Sequence, residues 1–403
     1  MGNNLIEEAN YNLDYIDDFM KAEYEDSLKK NYFSSKKLNT IEIEEGIILP
    51  VLKTDVYNTS KGAGGVIDKN QKYIKCSAQM AYNMKNRVYG QYAICEEEIE
   101  FINENVVYAN FFYKHWGHFI IEIIARLWYL LDESRKKKLK VVFTTELNDN
   151  NIAIDGNYKE FLNLFGILDE NILLINKPTK FKKVVVPECS IYPGKYYTKE
   201  YKEILKKVSD NVSTANNIPP KIYLSRSNFK KARKKEIGEK EIEKFFNKNG
   251  FYSISPEKLT LTEQIQFYRD SKELACFNGT LSHNIMFAND KKNIIIINKT
   301  YKLNKHQALI NQAKKANVIY LDLHISLFPI AYGKGPFILT INDNLKRFAY
   351  DRNYDLKFSM ILYLKNICKK IWYIIRYLKT YKLKIYDDKN INSKELLKFY
   401  ILK

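Results

Sequence analysis

The 403-residue chain is poor in cysteine, and its five (Cys76, Cys95, Cys189, Cys276 and Cys368) are scattered and odd in number. No CxxC pair occurs, which excludes a zinc knuckle and a thioredoxin-type redox motif; reduced thiols in a cytoplasmic setting are expected. GxGxxG and Walker A are missing, so neither a dinucleotide nor a P-loop site is indicated. HExxH is missing too, so His115 and His118, three apart, do not read as a metal site. No run reaches the roughly 20 apolar residues that a bilayer crossing needs. The opening stretch MGNNLIEEANYNLDYIDDF is acidic and lacks the apolar core of a secretory signal. Acidic residues are in short supply overall: 47 Asp and Glu against 65 Lys and Arg leave a formal charge of +18. That excess predicts anionic partners, whether nucleic acid, acidic lipid or phosphorylated substrates.

What is present is an ordinary globular composition, 45% hydrophobic and 28% charged, which excludes disorder and collagen. In the first half, Ile41–Pro50, Tyr73–Cys76 and Tyr92–Cys95 read as strands. The apolar spacing of HWGHFIIEIIARLWYLLDES predicts a helix from His118 to about Leu131. The β-branched runs 141–145, 172–176 and 184–187 are separated by helix-length segments, the pattern of a parallel sheet covered by helices. STANNIPPK (213–221) is the best linker. Beyond it strand and helix alternate cleanly: strands 221–225, 251–255, 273–277, 294–298 and 318–323, with helices 237–249, 260–270, 282–288 and 303–316. This predicts a doubly wound α/β domain. The expected domains are 1–212, a linker at 213–221, 221–345, and a helical tail at 346–403. Within the tail, Leu364, Ile367, Ile371, Ile374 and Leu378 share one helical face, with Lys365, Lys369, Arg376 and Lys379 opposite. Segment 353–386 therefore reads as an interfacial basic helix facing anionic lipid, against the plainer alternative of a terminal helix packed on the core.

Open parallel sheets bind ligands beyond the carboxyl ends of their strands. Two loops of the second half leave such ends. One is SRSNFKKARKK (225–235), with Ser225, Arg226 and Arg233. The other is NGTLSHN (278–284), with Asn278, Gly279, Thr280, Ser282, His283 and Asn284. A diphosphate there would meet a guanidinium on one side and helix N–H donors on the other. A second constellation is His115, His118 and Glu122. His118 and Glu122 are four apart on a helix, and a carboxylate beside an imidazole suits a base that takes a proton from a hydroxyl. An ordinary polar i,i+4 pair is the alternative. No Asp-x-Asp triplet occurs, so cationic side chains and helix ends, rather than a metal, are expected as the counter-charge for a diphosphate.

Taken together, these segments resemble glycosyltransferase family 61. The resemblance lies in His115-Trp116-Gly117-His118 leading to Glu122 and Arg126-Leu127-Trp128. It continues in Tyr223-Leu224-Ser225-Arg226-Ser227-Asn228 with Arg233 and Glu239, in Gly250-Phe251 to Ile265, and in Asn278 to Asn284 followed by Met286-Phe287. It covers about residues 110–300. His115 stands where Asn is commoner in the family, and Asn278 where His or Glu often lies. The resemblance implies a GT-B-like α/β architecture of two Rossmann-like domains with the donor in the cleft between them. It also implies metal-independent transfer with inversion.

The expected function is transfer of a sugar from a nucleotide sugar, with a UDP-linked donor foremost, to a surface glycan or lipid-linked acceptor of the capsular or lipopolysaccharide kind. No further cofactor, no metal and no specific nucleic acid are expected. His118 or Glu122 would be the general base, with His115 on the acceptor side. The location expected is the inner face of the cell membrane. The alternatives are a non-enzymatic polyanion or nucleic-acid binder, driven by the +18 charge, and a degenerate transferase kept as a scaffold.

Overall fold

β-Branched, fully apolar runs form the central strands of a parallel sheet, because both faces of such a strand are covered by helices. Glu273–Phe277 and Asn293–Asn298 are of this kind. The structure is a computed structural model that describes residues 8–81, 86–230, 236–331, 333–356, 360–387 and 393–400. Arg233 and its neighbours Lys231, Lys234 and Lys235 lie outside the described residues, as do the side chains of Leu364 and Lys365. The fold is mixed α/β in two units, one of residues 31–213 with 260–262, the other of 8–30, 214–259 and 263–403.

In the first unit, strands Thr179–Pro187, Glu100–Phe111, Lys140–Thr144 and Ile172–Ile175 run parallel in that spatial order. Ile47–Leu52 and Ala63–Ile67 extend the sheet antiparallel, and Thr40–Glu44 also pairs with Thr179–Pro187. The expected strand 41–50 is thus two strands. They break at Glu45, which has φ 55°, and at Gly46, where a Cβ would meet Val184 Cγ2 at 2.9 Å. Tyr73–Cys76 and Tyr92–Cys95 do not form strands. The first holds a single bridge from Tyr73 to Ile67 followed by a 3-10 turn at Lys75–Ser77, and the second is irregular.

The long helix expected from His118 to Leu131 is also divided. An α-helix spans Trp116–Ile121 and a 3-10 helix spans Ile123–Leu131. The cause lies in side chains from elsewhere that occupy the carbonyls a continuous α-helix would use. Tyr201 Oη donates to Ile120 C=O (2.8 Å), Asn110 Nδ2 donates to the carbonyls of Glu122 (3.3 Å) and Ile123 (3.1 Å), and Ser190 Oγ donates to Ala125 C=O (2.7 Å). Asn110 sits at a sheet irregularity with φ 142°, and its Oδ1 in turn accepts from buried Arg126 (2.9 Å).

The second unit is a six-stranded parallel sheet in the order Asn10–Tyr15, Asn317–Asp322, Asn293–Asn298, Glu273–Phe277, Lys221–Leu224, Tyr252–Ile254. Residues 8–30 belong to this unit, because Asn10–Tyr15 pairs in parallel with Asn317–Asp322. Helices Glu239–Lys248 and Asp343–Asp351 pack on one face through Ile242, Phe246, Leu345 and Phe348.

The tail helix Met360–Thr380 also lies in this unit. Its buried stripe is Tyr373 and Tyr377, continued by Tyr381, which pack on one another and on Phe328. Tyr377 Oη donates to Pro329 C=O at 2.6 Å. Ile367, Ile371, Ile374 and Ile375 face solvent instead. Lys369, expected among solvated lysines, is nearly buried and bonds to Glu241 and to Leu339 C=O. Among the described residues, no helix is long and apolar enough to cross a membrane.

Candidate functional site

In the first unit the site grows from the N-terminus of helix Trp116–Ile121. His115 caps it, its Nδ1 accepting from His118 N–H at 3.4 Å. One turn on, Glu122 ends the α-helix with its side chain fully buried, while the His118 side chain keeps 33% of its surface exposed. His118 Nδ1 and Glu122 Oε1 are 2.8 Å apart. Arg87 grips the same carboxylate with two bonds, Nε to Oε2 and Nη2 to Oε1, the latter at 2.8 Å. Tyr113 Oη donates to Oε2 at 3.4 Å, and the Arg87 guanidinium lies 5.4 Å from the Tyr113 ring centroid.

Burial pushes Glu122 upward, but the hydrogen bonds from His118 and Arg87 outweigh it and hold the carboxyl below its ordinary value. Arg87 is raised against its own desolvation by Glu122. Partial desolvation and the neighbouring His118 ring lower His115, so it is neutral at pH 7. A carboxylate only accepts, so His118 Nδ1 is the donor in its contact with Glu122, with Arg87 Nη2 3.4 Å from the same nitrogen. The arrangement sets a partly exposed imidazole against a carboxylate that solvent does not reach.

The second unit offers the carboxyl edge of its sheet. Arg226 follows strand Lys221–Leu224 and Gly279 follows the neighbouring Glu273–Phe277. Arg226 Nη1 donates to buried Glu236 Oε1 at 3.0 Å, and Lys299 Nζ reaches the same oxygen at 2.7 Å. The backbone N–H of Arg226 donates to Glu239 Oε1 at 2.5 Å. Burial and the adjacent Glu236 push Glu239 up to about 8. Burial lowers Lys299, while Glu236 acts to hold it charged. Glu239 is thus shifted toward its protonated form, and Arg226 and Lys299 both bond to the Glu236 carboxylate beside it.

Gly279 has φ 137° and ψ −148°, a region essentially reserved for glycine, and no atom lies within 4 Å of where a Cβ would sit. Gly279 N–H donates to Ser282 Oγ (3.0 Å), whose hydroxyl donates to Gly279 C=O (2.9 Å). Asn278, Ser282, His283 and Asn284 are buried; Gly279 and Thr280 are half-buried and form the part of the turn open to a ligand. Ser225 is buried as well, bonded to Ser227 (3.0 Å). Asn278, Ser282, His283 and Asn284, all expected on the donor side, thus lie in the interior of the turn.

Asp17, Asp322 and His324, at the same sheet edge, are a trio among the described residues whose ligand atoms lie close enough to share a metal ion. The carboxylate oxygens already accept from Asn344, Tyr400, Asn298 and the Asp17 N–H. Sequence reading did not pick out Arg87, Lys299 or this trio. Lys299 and Asp322 could have been found, since each stands at the end of an apolar strand.

Residues 116–295 match the family model described as Glycosyltransferase 61. None of the curated proteins matches the chain. The matched segment contains His118, Glu122, Arg226 and the 278–284 turn, in the chain order that the sequence comparison with this family led one to expect. The chain is a glycosyltransferase, and its residues 116–295 belong to glycosyltransferase family 61.

Proposed function

We propose that the enzyme transfers a sugar from a nucleoside-diphosphate donor, UDP-linked foremost, to a hydroxyl of a glycan or lipid-linked acceptor of the capsular kind, with inversion and without a metal. In this reading the chain is organised as a GT-B enzyme; the run of parallel strands in the sheet of each of its two units supports this. The acceptor hydroxyl gives its proton to His118 Nε2 as its oxygen forms the new bond to the anomeric carbon. The bond from that carbon to the diphosphate oxygen breaks, and the electron pair leaves with the nucleoside diphosphate. Arg226 and the open backbone at Gly279–Thr280 receive the diphosphate, and the Arg226 guanidinium offsets its charge. Arg233 and His115 keep the donor-side and acceptor-side roles that the family resemblance implies.

The observation that carries this reading is the array of His118, Glu122 and Arg87. A base must meet the proton it removes, and Glu122 is sealed off and held ionised by two partners, so His118 is the base and Glu122 its positioning residue. His118→Asn should lower kcat by about 10²–10⁴-fold while UDP still raises the melting temperature. Wild-type turnover in a folded His118→Asn variant would refute the assignment.

The tail supports a place on the inner membrane face. Residues 360–386 carry seven Lys and Arg and no Asp or Glu. Ile371, Trp372 and Ile375 are 54%, 57% and 59% exposed on the helix that the tyrosine stripe anchors. Exposed apolar side chains beside a purely cationic charge suit an anionic lipid surface. Flotation with phosphatidylglycerol-containing vesicles, but not with phosphatidylcholine alone, is the expected result. Equal binding to both, or to neither, would contradict it.

A further inference from the structure

We infer that Asp322 is a positioning residue for the 278–284 turn: it sets the polarity of a row of buried amides, and the row fixes His283 as the imidazole tautomer with its proton on Nδ1. The row runs along the carboxyl edge of the second unit's sheet. Asn298 Nδ2 donates to Asp322 Oδ1 at 2.7 Å, Asn278 Nδ2 donates to Asn298 Oδ1 at 3.0 Å, and Asn304 Nδ2 donates to Asn278 Oδ1 at 3.1 Å. Asn304 Nδ2 also lies 3.1 Å from His283 Nε2. Asp322, Asn298, Asn278, Asn304 and His283 are all buried.

An amide has a donating and an accepting end, whereas a carboxylate only accepts. Asp322 Oδ2 is engaged by the Asp17 N–H at 2.8 Å, and Oδ1 must be met by a donor. Turning any amide of the row around would set acceptor against acceptor or donor against donor in a buried place, where an unmade bond costs most. The bonds at the far end run in the same direction. Asn304 Oδ1 caps helix Lys305–Ala313 by accepting the His306 N–H at 3.2 Å, and its NH₂ faces His283. Amide orientations follow from the bonding network, and here both ends of the network agree. His283 Nε2 is therefore an acceptor, and the neutral ring carries its hydrogen on Nδ1. His283 closes the helical turn that begins right after Gly279, so the row ties that turn to strands Glu273–Phe277, Asn293–Asn298 and Asn317–Asp322.

The link to donor binding rests on the proposed function; the tautomer does not, and the test separates the two. The chain has five histidines, so imidazole ¹⁵N spectra of the full-length protein can be assigned with His283→Asn. The expected spectrum shows His283 with Nδ1 protonated and Nε2 bare; a protonated Nε2 would overturn the inference. In Asp322→Asn the anchor can donate as well as accept, so the His283 signature should move toward the other tautomer and the donor KM should rise about tenfold. In Asp322→Asn/Asn298→Asp the carboxylate moves one place along the row. The carboxylate now at position 298 accepts from both neighbours, the amide oxygen now at position 322 accepts the Asp17 N–H, and both tautomer and KM should return toward wild type. A plain packing role for Asp322 predicts no such rescue. An unchanged His283 signature in Asp322→Asn overturns the inference. A changed signature with an unchanged KM upholds the polarity of the row and overturns its link to the donor.

Discussion

Two buried glutamates, one in each unit, show opposite solutions to the same problem. Glu122 accepts from a bidentate arginine, a histidine and a tyrosine, and its carboxyl is held below the ordinary range. Glu239 has one backbone N–H and a like-charged neighbour, Glu236, and is pushed up to about 8. Burial raises both; the count of donors decides the sign. The first carboxylate stays charged and can orient and polarise a base. The second is shifted toward its protonated form and leaves Glu236 as the carboxylate that Arg226 and Lys299 share.

The contrast can be broken most severely at Arg87. Arg87→Met leaves Glu122 buried with its main counter-charge gone, and should destabilise the first unit by about 3–5 kcal/mol, read by chemical denaturation at pH 7. The effect should shrink in acid. The stability that Glu122 lends is complete above its unfolded value near 4.5 and is lost as the pH falls through its lower folded value. Glu239→Gln should act in the opposite sense. Because the folded pKa is raised, the wild type loses stability as the pH climbs from about 4.5 to about 8, and the glutamine variant does not. Its advantage should be small near pH 5 and on the order of 2–4 kcal/mol at pH 9, followed as a melting-temperature difference. Gly279→Ala sharpens the donor side: the glycine-only backbone should cost about 1–3 kcal/mol and raise the donor KM, with no steric clash to share the blame. Ile371→Glu/Ile375→Glu should change stability by only about 0.5 kcal/mol yet abolish flotation with anionic vesicles.

The strands of the second unit were legible because IIIIN, ELACF and VIYLDL are apolar and bounded by turns, which is a local property. The break at Glu122 was not, because Asn110, Ser190 and Tyr201 impose it from other parts of the chain. Strand Asn10–Tyr15 was hidden for the same reason: its partner lies some 300 residues downstream. The pairing of His118 with Glu122 could be read from their spacing, but Arg87, on the short strand Asn86–Val88, gave no local sign. The tail shows that periodicity finds faces without saying which one is buried: Tyr373 and Tyr377 took the core and left Ile367, Ile371, Ile374 and Ile375 outside.

The central claim is that Glu122 acts only through His118, and the kcat of His118→Asn/Glu122→Gln beside the two single variants tests it directly. The account predicts that Glu122→Gln alone is less impaired than His118→Asn, and that the double variant turns over at the His118→Asn rate, because the carboxylate has nothing left to orient. Near-normal turnover in His118→Asn with activity lost in Glu122→Gln would contradict it and make the carboxylate the base.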